Sequence, residues 1–222
     1  CDQKNAIGGK WWAGFGALID NRYLLGIAAF ILLYVFIGSF VYFEQKNLLA
    51  EYSRAERATL LGSIDLVVNV LTFVMAFFVT GRVVKKLGMP VALALLPVLL
   101  VVGLLALAIA PLIVVLMAIQ VSRRAGNYAV TRPAREMLFT QVSQEDRFKA
   151  KPVIDIVVYR GGDAASGTLF ALLTEGLGVG LIAVAVIGAG ISALWGSVAV
   201  VLGRQYERSH GDVKASPSAK RS

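Results

Sequence analysis

The amino-acid sequence predicts an all-α, polytopic membrane protein with six transmembrane helices. Of its 222 residues, 57% are hydrophobic and only 16% are charged, whereas a soluble domain carries about 25% charged residues. The mean hydropathy is +0.71. The hydrophobic residues also form long runs, and a helical run of about 20 residues at about 1.5 Å per residue spans the hydrocarbon core of a bilayer. Lipid is therefore the expected solvent for most of the chain.

Four of the predicted spans are separated by clear polar segments. They cover residues 23–43, 64–80, 153–174 and 179–203. Between them, residues 91–121 form a run of 31 residues without a charge. A single helix of that length would measure about 46 Å, which is too long for a hydrocarbon core of about 30 Å. Pro111 suits the first turn of a new helix, so we predict two spans here, at 88–109 and 111–130.

The distribution of lysine and arginine supports six spans. With six spans, sixteen of the 22 basic residues lie on the side that holds both termini, and only Lys46, Arg54 and Arg57 lie on the opposite side. Basic residues are retained in cytoplasmic loops. We therefore expect both termini in the cytoplasm, with residues 1–22 as a lead-in and residues 204–222 as a disordered tail.

Several classes of function are disfavoured by the composition. The chain has one cysteine, Cys1, and one histidine, His210, which disfavours a disulfide framework, a Cys-based metal site and His-based catalysis. The common phosphate-loop, zinc-protease and serine-hydrolase motifs are absent from the sequence. We therefore expect no enzyme activity, no metal and no cofactor. The net charge of +8 is attributed to cytoplasmic loops and not to a nucleic-acid partner.

The first residue is Cys1 and not methionine. Either this cysteine is the lipidated start of a processed lipoprotein, or the chain is a piece of a longer protein. Lys4, Lys10 and Arg22 precede the first span and are expected in the cytoplasm, where the cysteine of a lipoprotein would not lie. This charge pattern favours a piece of a longer protein.

Three arginines fall inside the predicted membrane region, Arg123 and Arg124 in the fourth span and Arg160 in the fifth. Ionisable groups at this depth are costly and usually mark a substrate or ion pathway. Asp163 offsets one of the three charges, and the remaining excess of two positive charges calls for an anion, which the planar guanidinium suits when it is a phosphate. Two alternatives stay open: Asp163 forms a structural ion pair with an arginine, or Arg123 and Arg124 snorkel towards water.

Helical spacing assigns further polar side chains to the same predicted pathway. Asp155 and Tyr159 share one face of the fifth span with Arg160 and Asp163. The second span carries a polar stripe at positions i, i+4 and i+7, which either lines the pathway or makes interhelical hydrogen bonds. The members of this stripe are Asp65, Asn69 and Thr72.

Small residues predict where helices pack closely. Gly188, Ser192 and Gly196 repeat every four residues in the last span, a pattern typical of close helix contact in membranes. Gly161 and Gly162 likewise allow a partner helix or a ligand to approach the backbone of the fifth span.

The segment between the fourth and fifth spans predicts a short amphipathic helix. It covers residues 133–151, and its apolar side chains Met137, Leu138 and Phe139 are expected to face the bilayer. This segment would then lie along the cytoplasmic surface of the membrane, where amphipathic helices bury their apolar faces.

Two connecting regions resemble a known family of transporters. Residues 80–88 read TGRVVKKLG and resemble the basic, glycine-bounded loop that links the second and third helices of each half in the major facilitator superfamily. Residues 127–140 read NYAVTRPAREMLFT, and residues 146–151 read DRFKAK, followed by VYRGGD at 158–163. Together these motifs are similar to the C-terminal half of bacterial members related to the ATP:ADP antiporter branch of that superfamily.

The resemblance implies a fold and a set of partners. The chain would form helices seven to twelve of a twelve-helix secondary transporter, built from two inverted three-helix repeats, with the substrate cavity between the halves. The implied partners are a second six-helix half or a second copy, an anionic small molecule such as a nucleotide, and the lipid of a bacterial inner membrane. The implied gating loop contains Gly81, Arg82, Lys85, Lys86 and Gly88. The implied cytoplasmic motif contains Arg132, Arg135, Glu136 and Lys149.

Two other classes of function stay open at this stage. A protein that handles lipid phosphates, either a flippase or a transferase, would use Arg123, Arg124 and Arg160 to bind a headgroup. A membrane scaffold that transports nothing would need no such charges at membrane depth.

Overall fold

Helices make up the regular secondary structure of the residues that the structure describes, which confirms the predicted all-α class. The computed structural model describes residues 13–78 and 80–215. The α-helices are α1 (Ala13–Asp20), α2 (Arg22–Leu48), α3 (Arg54–Phe78), α4 (Thr80–Ile109), α5 (Ile113–Gly126), α6 (Arg132–Leu138), α7 (Gln144–Pro152), α8 (Tyr159–Ala171) and α9 (Leu181–Ala215). Short 3-10 helices cover Leu49–Glu51 and Phe139–Gln141, and π-helical segments cover Asn127–Thr131, Val153–Val158 and Leu172–Gly176.

Four helices in the described part of the chain are long and apolar enough to cross a membrane. They are Arg22–Glu51, Arg54–Met75, Gly88–Ile109 and Leu181–Ser209. These helices correspond to the first, second, third and sixth predicted spans. They indicate a multi-pass membrane protein, as the hydropathy of the sequence predicts.

The predicted spans 111–130 and 153–174 fall on helices that π-helical segments interrupt. At the first interruption the backbone keeps right-handed helical angles, with φ −62° and ψ −49° at Asn127 and φ −64° and ψ −48° at Arg132. A π segment widens the local hydrogen-bonding pattern without ending the helix. The crossing of the membrane by these two irregular helices stays a prediction.

A capping box places the start of α3 well before the apolar run that predicts the second span. The Ser53 amide donates to the Glu56 carboxylate at 2.8 Å, and the Glu56 amide donates to the Ser53 hydroxyl at 3.3 Å. These reciprocal bonds satisfy amide groups that the first turn of a helix leaves unpaired. The helix therefore begins at Arg54, ten residues before the start of the predicted span 64–80.

The long helix α4 is kinked at Gly88, which has φ 81° and ψ 168°. A positive φ of this size favours glycine. The first helical residue beyond the kink is Met89, whose amide lacks a partner within the helix. This amide donates to the Glu207 carboxylate of α9 at 3.0 Å. The last helix thus caps the membrane-spanning part of α4 from the side.

Close packing between α4 and α9 forms the centre of the described bundle. A Cβ atom at Gly188 would lie 3.3 Å from the Leu104 side chain, and one at Gly196 would lie 3.4 Å from Pro97. The predicted small-residue face is therefore confirmed as a packing surface. Trp195, on the same helix, is fully buried against the rings of Phe30 and Tyr34 of α2, at centroid distances of 5.3 and 5.7 Å.

The connection between α5 and α8 corrects one expectation about the bilayer. Leu138 and Phe139 have 0% exposure and belong to the main hydrophobic core. The prediction that they face the bilayer is therefore wrong. The Tyr23 hydroxyl donates to the Leu138 carbonyl at 3.2 Å, which ties α6 to the start of α2. The exposed aromatic residues of this connection include Phe148, on α7, with 57% exposure.

The C-terminal segment is also more ordered than predicted. Helix α9 continues to Ala215, so the expectation of a disordered tail from residue 204 is wrong for residues 204–215. Tertiary contacts explain the extension, because Tyr206 is buried in the core and Glu207 caps α4. Residues 216–222 lie outside the described part, as do residues 1–12 of the lead-in.

We expect Gly203→Ala to destabilise the protein, because a Cβ atom there would collide with the backbone of Pro90 on α4. Overpacking of this kind costs about 1–3 kcal/mol. Gly190→Ala, on the same helix, is the control, since nothing lies within 4 Å of its added methyl group. Thermal unfolding in detergent should show a lower Tm for the first variant and an equal or higher Tm for the second. Equal Tm values for the two variants would contradict this account of α4–α9 packing.

Candidate functional site

A cleft of about 220 Å³ opens between α2, α5 and α8. It contains one cation, one carboxylate and three phenols among its lining side chains. The lining residues are Tyr34, Val35, Gly38, Ser39, Tyr42, Arg123, Tyr159 and Asp163. Three helices that are distant in sequence therefore contribute to one polar concavity in an otherwise apolar bundle.

Arg123 is the cation of this cleft, and neutral amides hold it in position. Its Nε and Nη2 atoms donate to Gln120 Oε1 at 3.3 and 3.1 Å. The Gln120 amide in turn donates to the side chain of Gln45 on α2. Gly38 lets the guanidinium approach α2, since a Cβ atom there would lie 3.2 Å from Arg123 Nη1. The guanidinium is thus oriented without being neutralised by these partners.

Close contact between α2 and α8 fixes the opposite wall. A Cβ atom at Gly162 would lie 2.9 Å from the Leu32 side chain, which confirms that this glycine allows close helix approach. The hydroxyls of Ser39 and Ser166 form a hydrogen bond of 2.7 Å across the same contact. Asp163 follows Gly162 in the chain, so this packing sets the position of its carboxylate in the cleft.

The structure brings together some of the predicted pathway residues and separates others. Arg123, Tyr159 and Asp163 line one cleft. Arg160 and Asp155 are exposed and are not among its lining residues. In the described part of the chain, Asp163 has no basic nitrogen within 4.0 Å. The ion pair that the sequence offered as an alternative for Asp163 is therefore not formed in this structure.

Arg124 lies outside the cleft and is paired with Asp65 of α3. This contact changes the charge balance inferred from the sequence, where Asp65 was not counted against the arginines. With Arg124 matched by Asp65 and Arg160 outside the cleft, Arg123 and Asp163 leave the cleft with no net charge. Asn69 is exposed, and the Thr72 hydroxyl is buried with no hydrogen-bond partner among the described residues. The stripe therefore contributes one interhelical ion pair and does not line the cleft.

The predicted gating loop is helical in its backbone over residues 80–87, and Gly88 provides the kink already described. Lys86 is exposed. The side chains of Arg82 and Lys85 lie outside the described part of the structure. A gating role for this segment stays a prediction.

The predicted cytoplasmic motif forms an ion cluster around one carboxylate. Glu136 accepts from Lys151 at 2.6 Å and lies 3.7 Å from Arg135. Partial burial acts to raise the pKa of Glu136, and the hydrogen bond and charge of Lys151 act to lower it. With Arg135 and Arg147 they hold the pKa of this carboxyl below its usual value. Two further motif residues lie outside this cluster. Lys149 pairs with Glu145, and Arg132 is exposed.

Sequence reasoning missed the two glutamines that orient Arg123. Gln120 is the one strongly polar residue in the run 113–121, and it precedes Arg123 by three positions, so the two side chains share a helix face. The spacing could therefore have predicted the contact between Gln120 and Arg123. Gln45 lies near the end of α2, 75 residues away in the chain, and no local pattern could assign it to this contact.

Comparison of the chain with protein-family models, with curated proteins and with solved structures finds no match. The resemblance to major facilitator transporters therefore stays an expectation from the sequence motifs. A functional proposal therefore rests on the cleft itself, with its guanidinium and its three phenol rings.

We expect the Glu136 cluster to make stability depend on pH. A carboxyl with a lowered pKa in the folded state stabilises the fold above its unfolded pKa, and this contribution is lost as the pH falls through the folded pKa. Glu136→Gln should therefore be less stable than the wild type at pH 7, by no more than about 1 kcal/mol for a partly exposed pair. The two proteins should converge in acid.

Thermal unfolding in detergent across the acidic pH range measures this difference. Glu51→Gln, at an exposed site, is the control and should follow the wild type at every pH. A constant gap between Glu136→Gln and the wild type would show that Glu136 acts through packing and not through its charge.

Proposed function

We propose that the chain is one half of a secondary active transporter that moves an organic anion across the membrane by alternating access. Nucleotides of the ATP/ADP type are the first candidate substrates. The observation that carries the proposal is Arg123, whose guanidinium lines a polar cleft within an apolar bundle. Charges at this depth in a membrane protein usually mark a transport pathway.

The guanidinium of Arg123 suits an anionic group, in a cleft that also holds the carboxylate of Asp163. Gln120 orients Arg123 without compensating its charge, and the neighbouring Arg124 is already matched by Asp65. Asp163 lines the same cleft and provides a counter-charge at a distance greater than an ion pair. An incoming phosphate or carboxylate would gain a bidentate contact with Arg123, while Asp163 would disfavour an anion that carries excess charge near its own carboxylate.

The aromatic lining suits a substrate with a planar ring. Tyr34, Tyr42 and Tyr159 lie around the arginine, and phenol rings offer both a stacking face and a hydroxyl. A nucleotide combines a phosphate with a planar base. This combination supports the nucleotide over a simple inorganic anion.

The proposed architecture has six spans, including α5 to α6 and α7 to α8, with both termini in the cytoplasm of a bacterial inner membrane. A cleft open on one side supplies half of a substrate cavity, so a second six-helix half or a second copy would close it. The substrate would then be released to alternate sides by rocking of the two halves.

The six-span topology can be tested at Ser143, which is exposed between α6 and α7. With six spans this position faces the same side as Ser209. If only the four apolar helices crossed the membrane, it would face the side of Glu51. We expect a cysteine at Ser143, in a Cys1→Ser background, to resist a membrane-impermeant thiol reagent added outside the cell.

Two single-cysteine controls calibrate this measurement in the same background. Glu51→Cys should react with the reagent from outside, and Ser209→Cys should react only after the membrane is permeabilised. Labelling of the Ser143→Cys protein in intact cells would exclude the six-span topology.

The role of Arg123 can be separated from that of Arg160 by matched substitutions. Arg123→Lys keeps the charge but loses the planar fork, and the loss of a charged hydrogen bond of about 1.5–3 kcal/mol lowers affinity about tenfold or more. Arg160→Lys makes the same change at an exposed position outside the cleft and should leave affinity unchanged.

Exchange of labelled ATP, ADP and a panel of smaller organic anions measures both variants in proteoliposomes, with the chain assembled with the half or the second copy that completes its cavity. A thermal-unfolding assay on the same samples checks folding. Loss of exchange in Arg160→Lys, with normal exchange in Arg123→Lys, would move the anion site to the exposed face of α8. A completed transporter that contains the wild-type chain and exchanges none of these anions would exclude the proposed substrate class.

A further inference from the structure

The largest cavity among those described lies away from the cleft, at the connection that contains α7. It has a volume of about 710 Å³. We infer that this cavity binds the headgroup of a membrane phospholipid that carries phosphoethanolamine. The inference goes beyond the proposed transport function and requires only that the chain lies in a bilayer.

One face of a continuous helix forms the main wall of the cavity. The residues of this face follow helical spacing from α7 into the π segment beyond it. They are Gln144, Arg147, Phe148, Lys151, Pro152 and Asp155. The second wall consists of Phe139 and Thr140 of the 3-10 helix Phe139–Gln141, and of Val142, which follows it with an extended backbone. The cavity is therefore apolar at its sides and charged along one helix face.

The wall formed by α7 is held rigidly before any ligand binds. Ser143 caps the helix by accepting from the Asp146 amide at 3.1 Å. On the other side α1 packs closely, since a Cβ atom at Gly14 would collide with the Lys149 carbonyl. Lys151 lies over the ring of Phe139 at 5.5 Å. A preformed wall lowers the entropic cost of binding.

Of the charged side chains on this wall, one already forms an ion pair, and two remain available to bind a ligand. Lys151 is paired with Glu136, as described above for the cytoplasmic cluster. The guanidinium of Arg147 makes no hydrogen bond and no ion pair within 4.0 Å among the described residues, although its charge contributes to lowering the pKa of Glu136. Asp155 is exposed and, within the same part of the chain, has no basic nitrogen within 4.0 Å. One available cation and one available anion therefore line the same cavity.

This pair of charges favours a zwitterionic ligand. The guanidinium of Arg147 suits the phosphate of a headgroup, with the Lys151 ammonium next to it. Asp155 lies one helical turn beyond Lys151, about 5.4 Å along the axis, and its carboxylate suits a primary ammonium. A purely anionic headgroup would leave Asp155 unpaired beside a negative charge. A quaternary ammonium would offer it no N–H donor.

The surroundings favour a lipid over a free metabolite. Phe148 is 57% exposed at the edge of the cavity, and aromatic side chains are enriched at the membrane interface. Val142, Phe148 and Pro152 offer an apolar surface that phosphoethanolamine alone has no group to cover. The acyl chains of a lipid would cover it.

The test places the protein in nanodiscs that contain equal amounts of lipids with ethanolamine, choline and glycerol headgroups and matched acyl chains. Native mass spectrometry then counts the lipids that remain bound after release. We expect the ethanolamine lipid to be retained preferentially. Equal retention of all three, or preference for the glycerol lipid, would overturn the proposal.

Three variants assign the effect to this cavity. Arg147→Gln should lower retention of the ethanolamine lipid about tenfold, as expected for loss of a charged hydrogen bond. Asp155→Asn should remove the preference for ethanolamine over choline while binding through the phosphate persists. Lys86→Gln removes an exposed cation outside the cavity and should behave as the wild type.

Retention that is unchanged in both Arg147→Gln and Asp155→Asn would locate the lipid elsewhere and overturn the proposal. Because the two substitutions are independent, misfolding of one, detected by thermal unfolding, leaves the other as the test. Soluble O-phosphoethanolamine is the final arm. Competition by this compound at concentrations similar to those of the lipid would show that the acyl chains contribute nothing, and that the cavity serves a free metabolite.

Discussion

The charge of Arg123 is the constraint on which the contact of α2, α5 and α8 around the cleft depends. A guanidinium among apolar helices must be oriented and hydrogen-bonded, because an unpartnered charge in a low-dielectric region is costly. The solution uses neutral groups: Gln120 supports it from its own helix, Gln45 extends that support to α2, and Gly38 provides the space. Because no carboxylate pairs directly with Arg123, its guanidinium keeps a preference for an anionic group. A buried ion pair would have removed that preference.

The sequence was sufficient for features that depend on local composition. Helix length and apolar content identify four candidate spans directly, and the i, i+4 repeat of small residues identifies the face on which α9 packs against α4. Arg123 and Asp163 were also identified, because charged residues in long apolar segments stand out whatever their partners are. These signals are local, so they survive without knowledge of the tertiary contacts.

Features that depend on distant contacts were beyond the sequence. Asp65 and Arg124 are 59 positions apart, and their pairing changes the charge balance of the whole site. The helical extension of α9 depends on the burial of Tyr206 and on the contact between Glu207 and Met89. The apolar residues Leu138 and Phe139 gave a correct amphipathic signal, but periodicity cannot tell whether an apolar face meets lipid or the protein core.

The π segment Val153–Val158 explains why one predicted face serves two different sites. In an uninterrupted α-helix, Asp155, Tyr159 and Asp163 would lie on one face at four-residue spacing. A π segment uses i→i+5 hydrogen bonds and takes more residues for each turn, so it rotates the residues before it relative to those after it. Tyr159 and Asp163, which follow it, line the cleft, whereas Asp155, within it, lines the cavity beside α7. The carboxylate that sequence spacing assigned to the substrate pathway thereby lines the same cavity as Arg147. The irregularity that interrupts the helix thus separates the cleft that contains Arg123 from the cavity beside α7.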